Sequence, residues 1–175
     1  FFRGRGVSYC ATCDGAFFRD KVVAVIGGGD SAVEEGDFLT RYASKVFIVH
    51  RRDSLKAAKV IQERAFANPK IEFCWNSVVQ EIKGDEFVKS LMLLNLKTEV
   101  RSHFPAEGVF VYVGLKPNSE FLQGIVQLDP GGYVITNEEM ETNVGGIFAI
   151  GDIRRKSLRQ IITAAGDGAT AAMAA

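Results

Sequence analysis

Hydrophobic residues in this chain come in short, dense, β-branched runs, and polar stretches with helical spacing lie between the early runs. Lys21 to Ile26 is apolar after its first residue and stops at Gly27-Gly28-Gly29, the pattern of a strand buried on both faces. From about Ser31 to Tyr42 the residues Ala32, Gly36, Leu39 and Ala43 share one helical face, which predicts a helix. Val46 to Val49 is a second buried strand and runs into His50-Arg51-Arg52. Asp53 or Ser54 can cap a following helix with Leu55, Ala58, Ile61 and Ala65 on its apolar face, ended by Asn68-Pro69. Ile71 to Trp75 is a third strand. Strands alternating with helices predict an α/β fold with a parallel sheet.

From Val78 to His103 the pattern changes. Short runs surround polar breaks at Lys83-Gly84-Asp85 and at Lys97, which predicts an antiparallel β-meander. Val109 to Val113 is another buried strand, followed by a loop from Gly114 to Asn118. Further on, Tyr133 to Thr136 and Ile147 to Ile150 read as strands, the second leading into Gly151-Asp152. A last helix is predicted from about Ser157 to the end, weakened by Gly166 and Gly168.

Composition narrows the function classes. The 175 residues carry 21 basic and 21 acidic side chains, for a formal net charge of zero. That argues against nucleic-acid binding driven by bulk charge. At 47% hydrophobic the chain is too apolar to stay disordered, yet no run reaches the roughly 20 residues of a membrane span. Three Cys are too few for a disulfide scaffold. The chain starts on Phe1 and ends in Ala-Ala-Met-Ala-Ala, strong helix formers with no stop signal, so the expectation is of a piece that begins and ends within structure.

Three motifs carry candidate chemistry. Gly27-x-Gly29-x-x-Ala32 follows a strand and opens a helix, the setting of a dinucleotide site. Gly27 would allow the tight turn, Gly29 the approach of a pyrophosphate and Ala32 the close packing of helix on strand. The alternative is a plain strand-to-helix turn. Second, the next strand ends in His50-Arg51-Arg52 with Lys56 beyond, where an NAD site has a carboxylate. Guanidinium groups bind a 2′-phosphate, so the basic cluster points to NADPH; the alternative is a solvated basic loop. Third, Cys10-Ala11-Thr12-Cys13 has the spacing of an exchange-competent disulfide, half a zinc site or two inert thiols. The remaining candidate zinc ligands, Cys74, His50 and His103, do not complete a set, because Cys74 lies in an apolar strand and His50 in the basic cluster. No metal site is therefore assigned. Asp14 could relay a proton to a leaving thiolate, or serve as a cap.

Taken together, Arg5 to Gly15 with its CxxC, Gly27 to Ala32 and His50 to Asp53 resemble thioredoxin reductases of the low-molecular-weight bacterial and plant type. Gly146 to Asp152 and Leu158 to Gly166 extend the resemblance to a flavin-binding segment of that family. The resemblance implies a Rossmann-like NADPH-binding domain over residues 1–113 that carries the redox pair. Residues 114–175 would be the C-terminal part of a second, FAD-binding Rossmann-like domain, whose N-terminal part lies outside this chain. It also implies electron flow from NADPH through FAD to the CxxC disulfide and on to thioredoxin, in a cytoplasmic homodimer. Cys13 would face the flavin, Cys10 would attack thioredoxin and Asp14 would be the acid–base group. Asp30 and Ser31 would lie by the NADPH phosphates, with His50, Arg51, Arg52 and Lys56 around the 2′-phosphate. Gly151, Asp152, Arg159, Gln160 and Ile161 would contact FAD.

There are departures from the family pattern. Lys56 stands where Arg is common, which keeps the charge and loses the fork, so a weaker preference for NADPH is expected. Ile161 replaces a common Ala. Arg154-Arg155-Lys156 is more basic than in many members and reads as a solvated loop, the alternative being a contact with a partner. Two other functions stay open: the reductase component of an alkyl hydroperoxide reductase system, and, for this chain alone, an inactive NADPH-binding module.

Overall fold

Five strands of the computed structural model form one parallel sheet, in the order β1-β8-β2-β3-β4. They are β1 (Val7–Ser8), β2 (Val22–Ile26), β3 (Lys45–Val49), β4 (Ile71–Cys74) and β8 (Gly108–Val111). Between β4 and β8 the chain makes an antiparallel meander of β5 (Ser77–Gly84), β6 (Val88–Asn95) and β7 (Arg101–Pro105). The helices are α1 (Ala11–Asp14), α2 (Asp30–Leu39), α3 (Lys59–Ala67) and α4 (Ile161–Ala174). All of residues 1–175 are described, and they divide into two compact units, Phe1–Gly114 and Leu115–Ala175. No helix is long and apolar enough to cross a membrane.

The dense apolar runs are explained by burial on both faces of the sheet. Val23, Val25, Val46 and Ile48 pack toward the helices with Val33, Leu39 and Ala65. Their neighbours Ala24, Val49 and Val109 pack toward the meander with Val88, Leu91 and Leu93. Phe47 meets Phe104 of β7 edge-on, with ring centroids 4.5 Å apart. Alternate residues of one strand thus enter two different cores, and neither face can be polar.

Helix ends differ from the periodic pattern for local reasons. α2 stops at Leu39, because the N–H groups of Thr40, Arg41 and Tyr42 turn back to carbonyls three residues earlier. The helix predicted from Asp53 or Ser54 starts only at Lys59. The intervening N–H groups are engaged elsewhere: Lys56 and Ala57 donate to the Gly28 carbonyl and Ala58 to Asp30. Leu55 is still buried in the core. Free Cys74 is half-buried, Trp75 stacks on Phe73 at 4.9 Å, and His103 is exposed on β7.

In the second unit, the strands read at Tyr133 to Thr136 and Ile147 to Ile150 do not form. Val134 makes isolated bridges to Leu128 and Arg154, and Phe148 one to Glu141. The reason is visible in the main-chain bonds. Val134 donates to Ile153 while Ile135 donates to Gln127, so neighbouring residues bond to different segments and no ladder builds. Val126, Val134 and Ala149 form a small core. α4 starts at Ile161 rather than Ser157, with Gln160 and Thr163 forming a reciprocal capping box.

Candidate redox and nucleotide site

The first site lies at the carboxyl ends of the parallel strands. From β2 the chain winds outward through β3 and β4, then returns by β8 to the other side of β2. The ends of β2 and β8 therefore flank a topological switch point, where ligands bind in open α/β sheets.

β1 runs directly into the cysteine motif. Cys10 and Cys13 form a disulfide with Cα atoms 5.3 Å apart. Cys10 is the N-cap of α1, and its sulfur accepts the Cys13 N–H at 3.1 Å. Of the three readings left open by the spacing, the structure adopts the disulfide. Ser8, buried at the end of β1, organises the motif. Its hydroxyl donates to Asp14 Oδ2 at 2.7 Å and accepts the Cys10 N–H at 3.1 Å. Asp14 is thereby held beside the pair.

The glycine turn follows β2. Gly27 has φ +148°, and a Cβ there would collide with the Tyr112 carbonyl oxygen and Ala32. Gly29 is the N-cap of α2 and has open space around it, so the free N–H groups of the helix start are reachable. Asp30 opens α2, next to exposed Ser31 and buried Ala32. The Asp30 carboxylate accepts the Ala58 N–H at 2.7 Å, and Gly28 O accepts from Lys56 at 2.7 Å and from Ala57 at 3.2 Å. These three bonds fasten the glycine turn to the basic loop.

Within that loop the cluster splits. Arg51, Arg52 and Lys56 are exposed, whereas His50 is buried with its ring against Gly28 and edge-on to Trp75. Burial, above all, pushes the His50 imidazole below its ordinary range. Arg52 and Arg51 add to this, while the Ser54 and Gly27 backbone opposes it. His50 is thus a buried support under the turn, with Nε2 lacking a partner. The cations that face solvent are Arg51, Arg52 and Lys56.

In the second unit one carboxylate ties Gly151 to two nearby cations. Gly151 (φ +74°) and exposed Asp152 lie in a short 3-10 turn. Asp167 of α4 accepts the Gly151 N–H at 2.9 Å, Arg154 at 2.9 Å and Lys156 at 2.8 Å. Arg154 and Lys156 are therefore not a solvated loop: their side chains are only 13% and 12% exposed. A partly buried carboxylate draws them in, and only Arg155 stays exposed. Arg159 lies over the Tyr133 ring at 4.1 Å, and its buried Nε has no partner. Gln160 caps α4, while Ile161 is 90% exposed.

Sequence reasoning missed Ser8, Tyr112 and Asp167 as site residues. For Asp167 there was a signal, a lone carboxylate in an apolar, Ala-rich helix. For Tyr112 there was none, because its partner Ala11 is 101 residues away.

Residues 2–168 match the family described as pyridine nucleotide-disulphide oxidoreductase. Thioredoxin reductase of Peptoclostridium acidaminophilum is 56% identical over 175 residues, covering 97% of this chain and 56% of that protein. Thioredoxin reductase of Bacillus subtilis is 55% identical over 170 residues, covering 97% and 54%. The crystal structure of thioredoxin reductase from Streptococcus pyogenes superposes with a TM-score of 0.91 at 53% identity, covering 97% of this chain and 56% of that one. The chain thus spans about half the length of the curated relatives it matches. A CxxC disulfide and a glycine turn at one switch point, with this match along nearly the whole chain, place it in the pyridine nucleotide-disulphide oxidoreductase family.

Proposed function

We propose that this chain is the nucleotide-binding and disulfide-bearing part of an NADPH-dependent, FAD-containing thioredoxin reductase. The observation that carries the reading is the Cys10–Cys13 disulfide separated by one intervening strand, β8, from a glycine turn bonded to a basic loop. The names of the relatives favour it over the hydroperoxide-reducing alternative.

The residues divide the work. The turn at Gly27 to Gly29 and the start of α2 receive the pyrophosphate of NADPH, and Arg51, Arg52 and Lys56 hold its 2′-phosphate. The cysteine pair takes up two electrons as its S–S bond opens, and Asp14, fixed by Ser8, is placed to supply a proton to a departing thiolate. Cys10 then exchanges with the thioredoxin disulfide, while Cys13 is the thiol on the flavin side. Bound FAD supplies two-electron transfer between nicotinamide and disulfide.

Gly151, Asp152, Arg159, Gln160 and Ile161 make up this chain's contribution to the FAD site, and the unpartnered Arg159 Nε fits a ligand rich in acceptors. Residues 1–113 then form the NADPH domain and 114–175 part of the FAD domain. The family resemblance further suggests a cytoplasmic homodimer. The 175-residue chain alone is expected to bind NADPH without turning over thioredoxin.

Parallel titrations of the chain with NADPH and NADH, followed by calorimetry, test the nucleotide half. NADPH should bind at least about tenfold more tightly, in line with a charge-assisted phosphate contact. Arg51→Ala should narrow the gap, and equal affinities in the unaltered chain would contradict the reading.

A further inference from the structure

Sheet order sets three strand ends side by side, β1, β8 and β2. β1 runs into the redox helix and β2 into the glycine turn. Between them β8 ends at Val111, and the next residue is Tyr112. Its main chain belongs to the nucleotide turn. The Tyr112 N–H donates to Ile26 O at 2.8 Å, and its carbonyl oxygen occupies the space a Cβ on Gly27 would need. Its side chain belongs to the redox motif, since the phenol oxygen accepts the Ala11 N–H at 2.8 Å.

Ala11 is fully buried and lies between the two cysteines. It is the first residue of α1, where a backbone N–H has no acceptor within the helix. Burial, above all, raises the Tyr112 phenol far above its ordinary range; Glu35 and Asp14 add to this, against the Ala11 N–H. The group that accepts the bond is a neutral hydroxyl.

We propose that Tyr112 is a positioning residue of the redox site: its bond from the Ala11 N–H anchors the segment between Cys10 and Cys13 to the switch point and favours the closed disulfide. This deepens the function proposed above and rests on it for the redox role of the pair. The disulfide requires the two cysteines close together, whereas the dithiol does not. An anchor that holds the intervening segment in the closed arrangement lowers the ordering cost of closing the bond. Loss of the anchor makes the disulfide easier to reduce.

The test equilibrates the chain with dithiothreitol and counts thiols by mass after alkylation. One S–S bond opens to two thiols on the protein. The reagent gives up two electrons and two protons and closes its own ring disulfide. Tyr112→Phe keeps the ring and removes only the hydroxyl. It should move the equilibrium about fivefold toward the dithiol, about 20 mV for a two-electron couple. A second readout is hydrogen exchange of the Ala11 amide in the unaltered chain, since the N–H that donates to the phenol oxygen is the one the anchor protects.

If the anchor favours the disulfide, the disulfide equally favours the anchor, so the Ala11 amide should exchange faster in the dithiol than in the disulfide form. A change below twofold in Tyr112→Phe would overturn the proposal. Melting curves check that the variant folds. Should Tyr112→Phe fail that check, equal exchange of the Ala11 amide in the two forms of the unaltered chain overturns the proposal, and faster exchange in the dithiol supports it. The assay contains neither nucleotide nor thioredoxin, so equal binding of NADPH and NADH would sink the proposed function and leave this result standing.

Discussion

The Asp167 carboxylate on α4 accepts the Gly151 N–H at 2.9 Å, which ties the middle of a helix to the turn that carries Asp152. The same carboxylate neutralises Arg154 and Lys156, with only 11% of its side chain exposed. Asp167→Asn keeps an acceptor and leaves two cations without their counter-charge. The expected cost is about 3 kcal/mol, the low end for breaking a buried pair. Faster hydrogen exchange along α4 would report it.

The same group gives a pH signature. Burial alone would raise the Asp167 carboxyl, but Lys156, the Gly151 N–H and Arg154 outweigh it and hold it below the ordinary carboxylate range. A depressed native value means the stabilisation is complete above the unfolded value of about 4 and fades as pH falls through the native one. The stability gap between the unaltered chain and Asp167→Asn should therefore shrink below about pH 4. A gap that stays constant from pH 6 to pH 3 would remove Asp167 as its source.

Two glycines in one turn should separate folding from binding. Gly27→Ala forces a side chain into φ +148° and against the Tyr112 carbonyl, so it should destabilise by more than about 2 kcal/mol. Gly29→Ala meets nothing and sits at φ −91°, so its stability should stay within about 1 kcal/mol. It does, however, place a methyl where the proposed function has the pyrophosphate approach. Its NADPH affinity should fall about tenfold or more, and unchanged affinity by calorimetry would argue that the phosphates bind elsewhere.

Cys74 should differ in kind from the other two cysteines. Burial, then Glu72, pushes its thiol above the ordinary range, so little thiolate forms near neutral pH. After mild reduction, iodoacetamide at pH 7.5 should label Cys10 and Cys13 well before Cys74, as read by peptide mass. Equal labelling rates would show that the strand end around Cys74 opens to solvent.

These predictions draw on residues that were not equally legible in the sequence. The dense runs gave the parallel strands because two-sided burial leaves no polar alternation to misread. The glycine turn, basic cluster and CxxC were legible because each needs specific residue types at short spacing. The helix start at Lys59 was not, because the N–H groups of residues 56–58 bond to Gly28 and Asp30, far away in sequence. Arg154 and Lys156 were misread for the same reason, since Asp167 lies on another element. His50 was grouped with its basic neighbours, yet the strand end turns it inward beneath Gly28. Long-range partners set these outcomes, and local pattern does not carry them.

The central claim is that the Cys10–Cys13 pair carries electrons from NADPH to thioredoxin. The most direct measurement uses the full-length protein that contains this chain, with Cys13→Ser beside the unaltered form. Under anaerobic conditions, NADPH should bleach the flavin absorbance in both forms, and only the unaltered protein should go on to reduce thioredoxin. Thioredoxin reduction that persists in Cys13→Ser would contradict the claim.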